Sequence, residues 1–544
     1  METEQKSAIN AAKLRNFFSD TGIYAHNPKD VTFIQTHASL VFIAKPWVYK
    51  IKKPVDFGFL DYSTLEKRLH YCFREVELNN RLCSEIYEGV IPIYQTNEVL
   101  KLGMPLRNHE APRNAIEFAV KMKYLPHHLF LSYKVKNEGI SKNEINRVCQ
   151  KLYPFYMEQS GKKDLSKWGD RKQIKVNTDE NFDQTEAFKG ELLPAYLHGV
   201  IKNYTNTYLE MNADLFRERI DRGCIIDGHG DLHLDHIHIT EKNVCIYDCI
   251  EFNDRLRYQD WANDLAFLAM DLDYQEEVAR QNQLVTRMSS LLNDEGMRKI
   301  INFYKCYRAY VRGKIAGIQF QESESSKEKQ RLKKEAERYF GLSGRYAVLG
   351  SKPIALIIMG RIATGKSTVS KQLSQLFSVN HYASDRIRKK MAGIAPNKPS
   401  PEQVESHIYS EEMSQKTYEQ LLDKGLQQLN AHHSVILDAT FSSANKRKKL
   451  ANKLEKAGFR HLFVQTKSSD ELIKKRLSQR EHKSGIVSDA RLEHFDKLNS
   501  IFETPEEIPN DNLISIDTGP SIDETLDTLL RKLVNHRLHE QGQE

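Results

Sequence analysis

The apolar positions of this chain follow two patterns that meet near residue 350. Before that point, short apolar runs at Val31–Ile34, Leu40–Ile43 and Trp47–Ile51 read as a hairpin and a third strand. A run with helical spacing covers Leu65–Leu82, and Val244–Tyr247 reads as a strand ending in Asp248. Beyond residue 350, apolar strands and amphipathic helices alternate. The order is strand 354–359, helix 366–377, strand His381–Ser384 ending at Asp385, helices across 402–430 and strand Val435–Leu437 ending in Asp438. Helix 443–457, strand His461–Gln465, helix 469–481, strand Leu513–Ile516 and helix Ile522–Val534 follow. Such alternation predicts an open parallel sheet with ligands at the carboxyl ends of its strands. Between the patterns, Ser323–Tyr346 is charged and apolar only towards its end, which predicts a solvated helix closing the first domain. Gly350-Ser351-Lys352-Pro353 reads as the joint, giving expected domains 1–349 and 350–544. The expected fold class is α/β and α+β.

Composition narrows the field. A length of 544 residues predicts two or three domains, and 40% hydrophobic with 28% charged residues describes a soluble globular protein. No apolar run approaches the roughly 20 residues of a membrane span, and METEQKSAIN lacks an export-type apolar core. The seven cysteines are scattered, which predicts reduced thiols and a cytoplasmic location. A net charge of +7 spread over so many ionic side chains says little about polyanionic partners.

The strongest chemical signal is Gly360-Arg361-Ile362-Ala363-Thr364-Gly365-Lys366-Ser367-Thr368, set between the strand at 354–359 and a helix. Loops of this form close backbone N–H groups around phosphates, with the helix N-terminus adding its dipole. Lys366 is positioned to reach β/γ-phosphate oxygens, and the Ser367 hydroxyl to ligate Mg²⁺. The expected ligand is a nucleoside triphosphate, ATP. Asp438 holds the position of an acid that binds Mg²⁺ directly or through water, or else caps the next turn. Asp385 can take a proton from an acceptor hydroxyl and Arg388, one turn on, can clamp an acceptor phosphate; the plain alternative is a helix cap beside a surface arginine. Arg476 and Arg480, four apart on one helix, suit a lid that neutralises a transferring phosphoryl group, with Glu481–Ala490 as its edge, or are simply a basic face. Lys446-Arg447-Lys448-Lys449 is either a polyanion contact or the wet side of a helix.

Together GRIATGKST, SDRIR, VILDATF and RLSQR resemble the P-loop kinases that include polynucleotide 5′-kinases, zeta-type toxins and gluconate-type kinases. The resemblance covers 352–535 and implies γ-phosphoryl transfer to a hydroxyl. Asp385 and Arg388 match the Asp-x-x-Arg pair that supplies base and acceptor clamp in polynucleotide kinases.

A second motif, Asp227-Gly228-His229-Gly230-Asp231-Leu232-His233-Leu234-Asp235-His236, resembles the catalytic loop of aminoglycoside phosphotransferase-like kinases, over about residues 25–345. The resemblance implies a bilobal protein-kinase-like domain. Within it, Asp231 orients and deprotonates the acceptor and Asp248 holds Mg²⁺. Lys50 is then the phosphate-binding lysine and Glu75 its partner, the 120–126 segment with Met122 is the adenine hinge, and Asp264 braces the loop. Lys52 shares a strand face with Lys50, and the distance from Val48 favours Lys50. His229 is expected to order the loop through backbone bonds.

The chain departs from that family three times. His236 stands where an Asn metal ligand is usual, so Asp235 is a substitute candidate. The Gln35–Ser39 turn lacks glycine, leaving Thr36 and Ser39 hydroxyls to cover phosphates. Cys249-Ile250-Glu251 follows the metal Asp in place of a glycine pair. The histidines at 229, 233, 236 and 238 resemble a structural zinc site, although the kinase reading accounts for the same residues.

The expected function is an ATP- and Mg²⁺-dependent phosphotransferase with two nucleotide-binding domains, acting on an unidentified hydroxyl of a small molecule or a nucleic-acid 5′ end. The alternative is a regulatory protein in which one pseudokinase domain gates the other. Oligomeric state is not readable from the sequence.

Overall fold

Strand alternation decides what the first sheet buries. In the computed structural model, which describes residues 11–97, 99–395, 410–481 and 492–543, six strands pair in the order β1-β2-β3-β6-β4-β5. They are β1 (Thr32–Gln35), β2 (Ser39–Ala44), β3 (Trp47–Lys52), β4 (Tyr87–Thr96), β5 (Val99–Leu102) and β6 (Ala115–Lys123), all antiparallel to their neighbours. Tyr49 and Ile51 of β3 pack with Phe18, Phe42 and Ala119 on one face. Val48 packs on the other face with Leu69 and Cys72 of helix Leu65–Cys83. Because side chains alternate with period two, Lys50 and Lys52 must also point at that helix. Thr64 caps its first turn through Lys67 N–H.

The same compact unit, residues 1–174 with 214–298, contains β7 (Ile225–Asp227) paired with β10 (Tyr258–Asp260) and the hairpin β8 (Ile237–Ile239) with β9 (Val244–Ile246). Cys83 at the end of the Glu75 helix is disulfide-bonded to Cys245 of β9. This corrects the expectation of seven reduced thiols: five are free, and all five are buried. Sequence spacing gave no sign of the pair because the two positions are 162 residues apart.

The other unit comprises residues 175–213 and 299–544. Its sheet has the order β12-β13-β11-β14-β15, built from β11 (Ile354–Met359), β12 (Asn380–Ala383), β13 (Val435–Asp438), β14 (Arg460–Lys467) and β15 (Leu513–Asp517). Every pairing is parallel. All six residues of β11 are buried, as expected for a central strand covered on both faces. Helix Ser326–Val348 is solvated all round only in its first turns: Leu332, Ala336, Tyr339 and Phe340 are buried. At Gly341 a Cβ would lie 2.2 Å from the Leu376 carbonyl oxygen, so only glycine lets this helix approach the one that follows the phosphate loop. Among the described residues, no helix is long and apolar enough to cross a membrane.

Candidate active sites in the two units

In the first unit, Lys50 Nζ lies 2.7 Å from Asp248 Oδ1 and 3.0 Å from Glu75 Oε1. Lys52, the other lysine on this strand face, takes the second Glu75 oxygen at 2.8 Å and pairs with Glu251. The Tyr62 hydroxyl donates to Glu251 at 2.5 Å. Lys50 therefore bridges the helix acid and the acid after β9, while Lys52 closes a buried network behind it. Burial alone would raise the carboxyl pKa of Asp248, but Lys50 and His236 beside it hold it well below the usual range. Glu75 is likewise lowered: burial opposes ionisation, and Lys50 and Lys52 outweigh it. Asp248 adopts φ 61°, a left-handed conformation that a non-glycine residue keeps only when its surroundings enforce it. The amide of Cys249 donates to Asn79 Oδ1 at 2.8 Å, which fixes the turn from outside.

The loop before Asp231 is held by Asp264, which accepts from the amides of His229 at 3.0 Å and Gly230 at 2.8 Å. Tyr156 and Gln259 also donate to that carboxylate. His229 is fully buried, with Nε2 2.9 Å from the Tyr247 carbonyl oxygen. Burial pushes its pKa down to about 4. His229 is thus neutral in the fold, whereas an unfolded histidine protonates near pH 6.5. Stability from this residue is present above pH 6.5 and is lost as pH falls towards 4, by about 3 kcal/mol in all. We expect the urea midpoint to fall over that window, and His229→Gln to flatten the fall.

His236 Nδ1 lies 2.9 Å from the Asp231 carbonyl oxygen, and its Nε2 3.5 Å from Asp248 Oδ2. His233 Nε2 is 3.5 Å from Asp231 Oδ2. Burial, then the neighbouring His233, lowers the His236 pKa. Asp235 is exposed and leans on His233. Asp231, His233 and His236 offer ligand atoms within 4.8 Å of one another. His238 is not in that group and packs edge-on against Phe130. Met122 is a core residue of β6 opposite Val48. The amides beyond it, Lys123 and Tyr124, donate to the Ile86 and Pro46 carbonyls. The Thr36 hydroxyl is engaged in its own turn, accepting from Ser39 N–H at 2.9 Å.

In the second unit, the loop from Gly360 to Gly365 joins buried β11 to helix Lys366–Phe377. Gly360 (φ 145°) and Gly365 (φ 87°) take positive φ, and a Cβ on Gly360 would meet the Thr466 carbonyl oxygen at 2.5 Å. The loop is fastened at several points. Thr364 Oγ1 donates to the Arg361 carbonyl and meets Thr466 Oγ1 at 2.7 Å, while Thr518 Oγ1 donates to the Thr364 carbonyl. Ile362 and Ala363 pack on Ile473, Leu477 and Phe495. Arg361 turns outward to Asp470 and Asn499, each at 2.7 Å. Lys366 Nζ donates to the carbonyls of Gly360 and Arg361, and Ser367 and Thr368 are exposed on the first helical turn.

Parallel register brings the acids to this loop. Asp438 pairs in register with Ile358 of β11 and Ala383 of β12, so Asp438, Asp385 and the loop share the carboxyl edge of the sheet. Asp438 is buried and lies 3.2 Å from His381 Nε2. Arg388 donates to Asp385 at 2.8 Å on one helical turn, and Tyr418 and Thr440 line the same edge. Arg476 does not project outward: it donates to Thr518 and to the Ala363 carbonyl, bracing the loop. Arg480 lies on helix Asp470–Glu481, but its side chain is outside the described residues, as is 482–490. Arg447 is no surface charge either, being fully buried and bonded to Glu507 and the Phe441 carbonyl. Sequence reading missed the Lys52–Glu251–Tyr62 network and the threonine fasteners. The matching strand parity of Lys50 and Lys52 was the one available signal.

Comparison with known proteins bears on the second unit most directly. Residues 356–505 match the family model described as AAA domain. Uncharacterized proteins of Mycobacterium tuberculosis and Mycobacterium bovis are 27% identical over 426 residues, spanning 78% of this chain and 81% of theirs. A choline/ethanolamine kinase family protein from Mesorhizobium loti superposes at TM-score 0.36 and 11% identity, covering 61% of this chain and 94% of that one. A gluconokinase from Sinorhizobium meliloti does so at TM-score 0.26 and 17% identity, covering 35% and 98%. The chain is of mixed α/β class, and residues 356–505 carry its likeness to the AAA domain model.

Proposed function

We propose that the chain is an ATP-dependent phosphotransferase with two nucleotide-binding domains, 1–349 and 350–544, whose C-terminal domain transfers the γ-phosphate to a hydroxyl in the manner of polynucleotide kinases. The observation that carries this is the convergence of the glycine loop, Asp438 and the Asp385–Arg388 pair at the carboxyl edge of one parallel sheet. Lys366 and the helix N-terminus bind the phosphates. Ser367 and Asp438 offer oxygen donors, which suit Mg²⁺, and that ion would neutralise phosphate charge. Asp385 accepts the acceptor hydroxyl's proton, and Arg388 holds both Asp385 and an anionic acceptor in place. In the N-terminal domain Asp231 has the same base role and Lys50 binds phosphate.

The test is Asp385→Asn, with a 5′-hydroxyl oligonucleotide and a small-molecule cell fraction as acceptors. Acceptor phosphorylation should fall by about 10²-fold or more, the usual contribution of a general base, while ATP affinity stays within twofold. Undiminished transfer would remove Asp385 from the chemistry.

A further inference from the structure

The metal position of the N-terminal site does not suit Mg²⁺. Mg²⁺ demands oxygen donors, yet the residue five positions after Asp231 is His236. Its ring is oriented by the Asp231 backbone. A carbonyl oxygen only accepts, so the 2.9 Å contact puts the proton on Nδ1 and leaves the Nε2 lone pair pointing elsewhere. Nε2 faces Asp248 Oδ2 at 3.5 Å, while Oδ1 of the same carboxylate is taken by Lys50. Two lone-pair atoms about 3.5 Å apart have the separation of neighbouring ligands on an ion with bonds of about 2.1 Å. A backbone carbonyl accepting from the far ring nitrogen is the usual outer partner of a metal-bound histidine.

We infer that His236 Nε2 and Asp248 Oδ2 form a site for a divalent ion that accepts imidazole, of the Mn²⁺ or Zn²⁺ class, in preference to Mg²⁺. First-row transition ions take mixed imidazole and carboxylate sets, as Mg²⁺ does not. The Asp231 carboxylate lies 3.6 Å from Nδ1, not at Nε2, and the His233 ring packs against the His236 ring at 3.9 Å between centroids, so the ion does not displace the proposed base. The inference deepens the phosphotransfer reading of this site, but its test requires no turnover.

The metal-stripped full-length chain carrying Asp438→Asn, which weakens the second unit's oxygen site, is titrated with Mn²⁺ and followed by electron paramagnetic resonance. One tight equivalent is expected. Adding His236→Ala should weaken it at least tenfold, and His236→Asn should let Mg²⁺ displace Mn²⁺ at a concentration at least tenfold lower. Equal Mn²⁺ affinity in the His236→Ala chain, or equal Mg²⁺ competition in the His236→Asn chain, overturns the assignment. Should the variants not fold, spin-echo modulation from imidazole nitrogen on Mn²⁺ bound to the Asp438→Asn parent decides it: its presence supports the site and its absence overturns it. Absence of phosphate transfer by the wild-type chain, with this signal intact in the Asp438→Asn parent, would count against the phosphotransfer reading alone.

Discussion

Lys366→Ala is expected to reduce phosphate transfer by the C-terminal domain about 10²–10³-fold, the usual cost of removing one preorganised charge from a developing anion. The side chain starts the helix after the glycine loop, and its ammonium donates to the Gly360 and Arg361 carbonyls. Replacing it removes a positive charge from the phosphate cradle. It leaves untouched the packing of Ile362 and Ala363 and the threonine bonds that shape the loop. The variant should therefore unfold at the wild-type urea midpoint. Nucleotide affinity, read by calorimetry, should drop less than the rate, because backbone N–H groups still hold the phosphates.

Arg219→Ala should be the most destabilising single change considered, by about 3–5 kcal/mol, since it strands buried charges. Arg219 donates to Asp294 with both terminal nitrogens at 2.9 Å and to Asp260 at 2.7 Å. All three residues are buried. Asp260 also caps helix Trp261–Tyr274 through Ala262 N–H, and Asp294 accepts from the Trp261 indole. That helix carries Asp264, which holds the His229 and Gly230 amides. The loss should therefore appear both as a lower urea midpoint and as faster amide exchange at residues 229–231. Arg219→Lys should recover only part of it, because an ammonium cannot serve two carboxylates with a planar fork.

The second unit was largely legible in the sequence. Parallel strands buried on both faces leave unbroken apolar runs, and each acid that ends a strand marks the functional edge, so Asp385 and Asp438 could be placed from local pattern alone. Strand ends shifted by a residue or two, as at β12, which spans Asn380–Ala383 where His381–Ser384 was expected. What local pattern does not carry is pairing over long separations. Nothing near Arg447 or Arg476 announces that one is buried against Glu507 and the other bonded to Thr518. Cys83 and Cys245 meet only because the Glu75 helix ends beside β9. Lys50 and Lys52 illustrate the boundary: strand parity puts both towards the helix, but only the fold gives Asp248 to one and Glu251 to the other.

The central claim is best tested by γ-phosphate transfer from labelled ATP into a cell extract that is then resolved into nucleic-acid, protein and small-molecule fractions, with wild type beside Lys366→Ala. The account predicts label in the nucleic-acid or small-molecule fraction that, apart from the share the N-terminal domain transfers through Asp231, disappears with Lys366→Ala. Label that persists undiminished in that variant would contradict it.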